Sequence, residues 1–444
     1  MSRQPETRSA RIRRWVRPGS GIKRWLAVVF IGELLLALAG ALAIRLAFRD
    51  VPAGSLAGQL FDLVSLQSLP LALRPIIVLG AGVAIFLYGL WRLMNVLLEP
   101  FPARTEPLVE LVYQKRSLAR GPRVVAIGGG TGLSTLLRGL KEVTSNITAV
   151  VTVADDGGSS GKLRQELGIA PMGDIRNCIA ALADAEPAMT RLLQYRFPED
   201  EVNAPGLGGH AFGNLLIAAL ADIAGDFEEG VRESNRVLAV RGQVVPVARS
   251  PLTLHAELAD GTRLEGQSTI MGSRGIRRVW VTPTDALASE EAIAAIAAAD
   301  LVVLGPGSLY TSLLPSLLVP GIAGALQTTS ARRVFVCNVA TQPGETEGYT
   351  LSEHVAALNA HDVGSIVDVV LANSNLGART PNRYSASPVR IDLDAGQERP
   401  RLVITDVVDT DNAHRHDPHK LTHALIALHD EWASARTPAV ARSA

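Results

Sequence analysis

The stretch RVVAIGGGTGLS, Arg123 to Ser134, decides how the rest of the chain is read. Arg123 to Ile127 is a β-branched run of the kind that makes a buried parallel strand, and an apolar-periodic segment runs from Leu133 to Leu140. Between them stand Gly128, Gly129, Gly130, Thr131 and Gly132. A strand, a glycine loop and a helix in that order bring backbone amides and the positive end of a helix dipole up to a ligand, which makes an anion site. A phosphate suits it best. Leu133 stands where the dinucleotide fingerprint needs its third glycine, and no Gly-Lys-Ser/Thr follows, so neither a nicotinamide-dinucleotide fold nor a P-loop is indicated.

Downstream the same design recurs. Asn146 to Ala154 is a second β-branched run that completes a βαβ unit and ends in the polar loop Asp155, Asp156, Gly157, Gly158, Ser159, Ser160, Gly161. A helix starting near Gly173, with Asp174 suited to cap it, places Arg176 and Asn177 in its first turn. Gly206 to His210 is another glycine-rich loop, followed by an apolar helix with Asn214 in its first turns. Val244 to Ala248, Thr253 to Leu258 and Arg263 to Gln267 read as strands, with Asp260 and Gly261 turning between the last two. They are taken as an antiparallel excursion over about 242–281. Leu301 to Leu304 then runs into GPGSLYTSLLP (Gly305, Gly307, Ser308, Tyr310), a second strand, glycine loop and helix start. Strands ending at Asn338 and Asn373 and a last strand and helix follow. Successive strands that end in Gly, Asp, Asn, Ser and Thr indicate an α/β fold, a doubly wound, mainly parallel sheet with its ligand cleft along one edge.

Before this domain, residues 1–21 form a basic tail, and 22–98 hold two apolar stretches, Trp25 to Ala47 and Pro75 to Leu98, each long enough for a membrane helix. Both flanks are basic and the intervening segment carries few charges, so both ends face the cytoplasm and a multi-pass hairpin in the cell (inner) membrane is expected. A cleaved signal peptide is the competing reading, because LALAGALA resembles a cleavage site. Residues 99–122 read as a linker, 123–434 as the nucleotide-binding domain and 435–444 as a disordered tail.

Acidic and basic residues balance at 43 each, so no global field argues for nucleic acid. Two distant cysteines exclude a disulfide framework and suit a reducing compartment. Asp155 and Asp156 fit either a Mg²⁺ site or ordinary turn chemistry. His210 fits a phosphate ligand or a capping residue, and Tyr310 a base-stacking ring or a core tyrosine. The histidines at 414, 416, 419 and 423 match no standard zinc spacing, and Asp417 with Pro418 makes a good helix start instead.

Seven motifs in order, AIGGGTGLSTLLRGLK, TVADDGGSSGKLR, MGDIRNCIAAL, HAFGNLLIAAL, LGPGSLYTSLLPSLLVPGI, NVATQPGET and RHDPHKL, closely resemble the bacterial gluconeogenesis-factor (YvcK-like) family, a relative of the 2-phospho-L-lactate transferases. The likeness covers about Arg123 to Trp432. It implies a Rossmann-like three-layer fold that binds a UDP-sugar such as UDP-N-acetylglucosamine, with a role in cell shape, cell-wall synthesis and growth on gluconeogenic carbon. Gly128 to Gly132 and Gly305 to Tyr310 would hold the diphosphate and nucleoside, Asn177, His210, Asn214 and Asn338 would line the cleft, and Asp155 and Asp156 would be metal or ribose ligands. The transferase branch implies Mg²⁺-dependent transfer to a deazaflavin hydroxyl with release of GMP. TQPGET, RHDPHKL and the membrane hairpin favour the first branch. The partners implied are the UDP-sugar, the membrane and the proteins of cell-wall synthesis, with a homo-oligomer left open.

Overall fold

The computed structural model describes residues 115–199, 207–377, 386–393 and 400–436, with scattered positions between 33 and 89. The chain divides into two compact units, Met1–Thr105 and Glu106–Ala444. In the first, described positions of both apolar stretches, such as Leu34 and Ala37 in one and Ile76 and Ile85 in the other, are helical. The rest of the expected hairpin, the basic tail, residues 99–114 of the linker and residues 437–444 of the C-terminal tail lie outside the described residues. Among those described, no single helix is long and apolar enough to cross a membrane.

In the second unit residues 115–119 are helical, and β1 (Val124–Gly128), α1 (Gly130–Leu140) and β2 (Ile147–Val151) follow. Helices α2 (Gly158–Leu167), α3 (Gly173–Leu182), α4 (Glu186–Gln194), α5 (Phe212–Ala224) and α6 (Phe227–Val237) lead to β3 (Gln243–Pro246). Strands β4 (Thr253–Leu258), β5 (Arg263–Glu265) and β6 (Ile276–Thr282) come next, then α7 (Glu290–Ala298), β7 (Leu301–Leu304), α8 (Pro320–Thr328) and β8 (Arg332–Val336). Then come α9 (Leu351–Ala360), β9 (Val369–Asn373), β10 (Arg401–Thr405) and α10 (Pro418–Arg436), and short helical turns stand at Gln267–Ile270, Leu309–Leu313, Leu314–Leu317 and Gly364–Ile366.

Seven strands form one sheet in the order β10-β9-β8-β7-β1-β2-β3, every neighbouring pair parallel. Every residue of β1, β2, β7 and β9 is buried, so both faces of the sheet are covered, as a parallel sheet requires. The strand order departs from β1 in both directions, outward through β2 to β3 and outward from β7 to β10. A crevice therefore opens between the carboxyl ends of β1 and β7. At their amino ends these strands are tied by Arg123, which donates to Asp300 through both its guanidinium and its backbone N–H.

The excursion differs from expectation at its start. Gln243–Pro246 pairs parallel with β2 and closes the main sheet, while the antiparallel sheet, in the order β5-β4-β6, begins at Thr253. The burial patterns give the reason. Val244, Val245 and Pro246 are buried in succession, whereas β4 buries Leu254 and Ala256 and leaves Thr253 and His255 half-buried, the alternation of a sheet covered on one face. His361 pins this small sheet to the domain. Its Nδ1 donates to the Ala357 carbonyl at 2.7 Å, which leaves Nε2 to accept the Val279 N–H at 2.9 Å.

Leu133, Leu136, Leu137 and Leu140 bury one face of α1 at helical spacing. On another side α1 meets the C-terminal helix α10, and Gly139 permits the approach: a Cβ there would stand 2.1 Å from the Pro418 carbonyl oxygen. Gly139→Ala is expected to cost about 1–3 kcal/mol, because backbone on the facing element must move. Gly324→Ala, in α8 where an added Cβ meets nothing within 4 Å, should instead stabilise by about 0.5–1 kcal/mol. Chemical denaturation of both variants checks the contrast in sign.

Candidate functional site at the sheet crossover

The two glycine loops touch. A Cβ on Gly132 would lie 2.6 Å from the Pro306 carbonyl oxygen and 2.8 Å from Gly307 Cα, so only glycine lets α1 begin against the loop that follows β7. Asn338, just beyond β8, holds that loop from its other side. Its Nδ2 donates to the Gly307 carbonyl at 2.9 Å, and its Oδ1 accepts the Gly307 N–H at 3.2 Å. These loops wall a cleft of about 470 Å³, within the size range of small-molecule sites. Of the residues expected from the sequence, Gly129, Gly130, Thr131, Gly132, Gly307, Ser308 and Asn338 line it. Gly128 closes β1 and Gly305 follows β7, with the Gly305 N–H donating to the Ile127 carbonyl beneath the loops.

Asn177, His210 and Asn214 are not in that lining. They gather where the N-termini of α2, α3 and α5 meet. Ser159 Oγ accepts from the Ala211 N–H at 3.2 Å and from Asn214 Nδ2 at 3.1 Å, and lies 3.2 Å from His210 Nδ1. Ser160 Oγ accepts the Gly173 N–H at 3.1 Å. The Arg176 guanidinium donates to Asn214 Oδ1 at 3.0 Å and to Asn177 Oδ1 at 3.3 Å. The cluster is a hydrogen-bonded network behind the cleft, and His210 and Asn214 are fully enclosed in it.

The aspartates also part company. Asp155 Oδ1 accepts the Gly157 N–H at 2.9 Å, which is turn chemistry, while Asp156 Oδ1 accepts the Ser268 N–H at 2.8 Å on the loop between β5 and β6. The two neighbouring carboxylates are thus engaged with different segments and do not converge as a chelating pair, and no group of three metal-ligating side chains is assembled among the described residues. Asp155 instead faces Asp174. Asp174 lies beneath the first glycine loop, where it accepts the Gly130 N–H. Desolvation and then the charge of Asp155 push it up to about 7, against the pull of that amide and of Arg176. The expectation that Asp174 caps α3 is corrected: Met172 holds the cap position, and the carboxyl reaches the opposite loop.

Tyr310 departs from the base-stacking alternative. Its ring is 3% exposed, packed edge-on against Tyr349 and His361, with its hydroxyl 3.1 Å from that of Tyr349. The five residues Leu309–Leu313 form a wide π-turn, and all five are buried. A ring enclosed in this way offers no face to a base.

Residues to which the sequence reading gave no place in the cleft complete the walls. Gln267 and Met271, between β5 and β6, form one side, Gln342 forms another, and His414, Arg415 and His416 close the rim. Burial pushes His416 down to about 4, with its Nε2 bonded to the Cys337 carbonyl, so it is neutral at pH 7. Asp417 starts α10 as expected, its Oδ1 accepting the N–H groups of His419 and Lys420. Asp174 thus lies at the floor of the cleft and the Arg415 cation at its exposed rim. The signals were present in the motifs TQPGET and RHDPHKL, but the residues within them carried no spacing that named a role.

Asp174 makes a pH-dependent contribution to stability. The folded chain keeps its proton where the unfolded chain has lost it, so the contribution is full below 3.8 and is lost as the pH rises through about 7. Asp174→Asn does not titrate and is expected to gain on the wild type by up to roughly 1.4 kcal/mol per pH unit across that window. Thermal unfolding of both proteins from pH 5 to 8 checks this, and a constant difference would count against it.

Comparison with known proteins places the chain. Residues 124–408 match the family described as 2-phospho-L-lactate transferase CofD. The gluconeogenesis factor of Bacillus subtilis is 47% identical over 319 residues, covering 70% of this chain and 99% of its own. A Nostoc relative is 45% identical over 93% of this chain and 91% of its own, so its likeness extends into the segment before the α/β domain. A crystal structure from Bacillus halodurans superposes with a TM-score of 0.64 at 44% identity, over 69% of this chain and all of that one. The chain belongs to the CofD family and, within it, to the gluconeogenesis factors.

Proposed function

We propose that the protein is a nucleotide-sugar-binding regulator whose ligand is a UDP-sugar such as UDP-N-acetylglucosamine. The observation that carries this reading is the crevice itself, where two glycine loops abut at the crossover of a parallel sheet beneath the exposed guanidinium of Arg415. The helix start behind the first loop, the hydroxyls of Thr131, Ser308 and Thr311 and one cation suit a diphosphate, and the amide side chains around them suit a nucleoside and a sugar. The relatives named gluconeogenesis factor support a role in growth on gluconeogenic carbon, and cell shape and cell-wall synthesis are the processes proposed to respond. The apolar stretches within residues 22–98 support a tether to the cell membrane with the α/β domain on the cytoplasmic side.

Calorimetry on the full-length chain is expected to show saturable binding of UDP-N-acetylglucosamine, weakened at least tenfold by Arg415→Ala, the loss of one charge-assisted contact. No heat with any UDP-sugar would overturn the reading. Deletion of residues 1–98 should move the protein from the membrane fraction to the supernatant. If the truncated chain still sediments with membranes, the tether lies elsewhere.

A second reading has its own support in the family description, which names a transferase. It requires Mg²⁺-dependent release of GMP from a guanylylated phospholactate in the presence of a deazaflavin acceptor. The regulator reading expects none.

A further inference from the structure

Ser308 and Thr311 both line the cleft, and both are held by one segment, Thr341 to Thr346, whose Gln342 also lines it while Glu345 lies buried behind. Gln342 grips the Ser308 hydroxyl, with Nε2 at 2.7 Å and Oε1 at 2.9 Å. Glu345 is 2% exposed and sits under the turn that follows. Its Oε1 accepts the Thr311 hydroxyl at 2.7 Å and Gln342 Nε2 at 3.2 Å, and its Oε2 accepts the Tyr310 N–H at 3.3 Å. The segment is closed on itself, since the Gln342 N–H donates to the Thr346 hydroxyl at 3.0 Å. The π-turn is clasped from the other side by Gln267, whose Nε2 donates to the Thr311 carbonyl at 3.0 Å.

A glycine loop supplies close approach but little stiffness, and hydroxyls that must be ordered on binding cost affinity. A buried side chain that takes a backbone amide and a hydroxyl, and steadies the amide that holds a second hydroxyl, removes that cost in advance. We propose that Glu345, acting with Gln342, is the positioning residue of the second glycine loop: it presets the Ser308 and Thr311 hydroxyls for a diphosphate without touching the ligand. Burial pushes Glu345 up to about 7, which lowers the negative charge it presents behind an anion site. This inference rests on the nucleotide-sugar reading above, and it adds which residues prepare the phosphate side of the cleft.

The test compares uridine with UDP on the full-length wild type, Glu345→Gln and Gln342→Ala, by competition against UDP-N-acetylglucosamine. Glu345→Gln keeps the volume but replaces one accepting oxygen with a donor, which opposes either the Tyr310 N–H or Gln342 Nε2. Both variants are expected to bind uridine within about twofold of the wild type and UDP about tenfold more weakly, one hydrogen bond's worth of preorganisation. A merely structural role would lower both affinities together or neither. Equal losses for uridine and UDP, or unchanged UDP affinity, would therefore overturn the assignment of Glu345 while leaving the nucleotide-sugar reading intact. A wild type that binds neither UDP nor UDP-N-acetylglucosamine overturns that reading and this inference with it. Gln342→Ala serves as the second arm because it spares the buried carboxyl, and its loss of UDP affinity counts even if Glu345→Gln fails to fold.

Discussion

Everything at the cleft depends on one steric contact, the seating of Gly132 against the backbone of Pro306 and Gly307. The contact joins the starts of two helical segments that belong to opposite halves of the sheet. It exists because β1 and β7 are neighbours, although the facing residues Ile127 and Leu304 lie more than half the domain apart in sequence. Hydrophobic burial of the central strands fixes that neighbourhood. The absence of a side chain at one position lets the two loops close on each other. Bulk at Gly132 would part the loops before it affected any hydrogen bond to a ligand.

The electrostatics follow from the same closeness. Two acids, Asp174 and Glu345, each take one amide from one loop, and desolvation pushes each up to about 7. The pair stiffens the loops with groups that hold their protons far above the ordinary carboxylate range. Cations are kept to the rim, where Arg415 is exposed, and Arg176 is turned into the network behind the cleft with Asn177 and Asn214. A diphosphate would thus meet backbone dipoles and hydroxyls first and a full charge only at the edge.

Much of this was legible in the sequence because it is local. A β-branched run followed by glycines and an apolar period has one good structural solution, and it occurs after both β1 and β7. The parallel assignment of β3 was also written in the chain, in the unbroken Val244, Val245 run, but short runs are ambiguous until their neighbours are known. What escaped was non-local or depended on handedness. Asp174 reads as a cap within its own segment, and nothing nearby says that its carboxyl reaches the amide of Gly130 on a different loop. Tyr310 could stack or pack, and it packs within a π-turn whose extra residue has no signature in sequence. Asn177, His210 and Asn214 share the polarity of cleft residues, yet they serve Ser159, Ser160 and Arg176, because three helix N-termini need partners at the same place.

The rim of the cleft is closed by residues 412–416, far along the chain from the first glycine loop, and the helix that follows them packs on α1. During synthesis the first loop leaves the ribosome long before the residues that complete its partner surfaces. A nascent chain therefore carries the first glycine loop before residues 412–416 exist to close the cleft beside it. The order of synthesis thus separates the first glycine loop from its rim, and the two halves of the cleft meet only when α10 docks on α1.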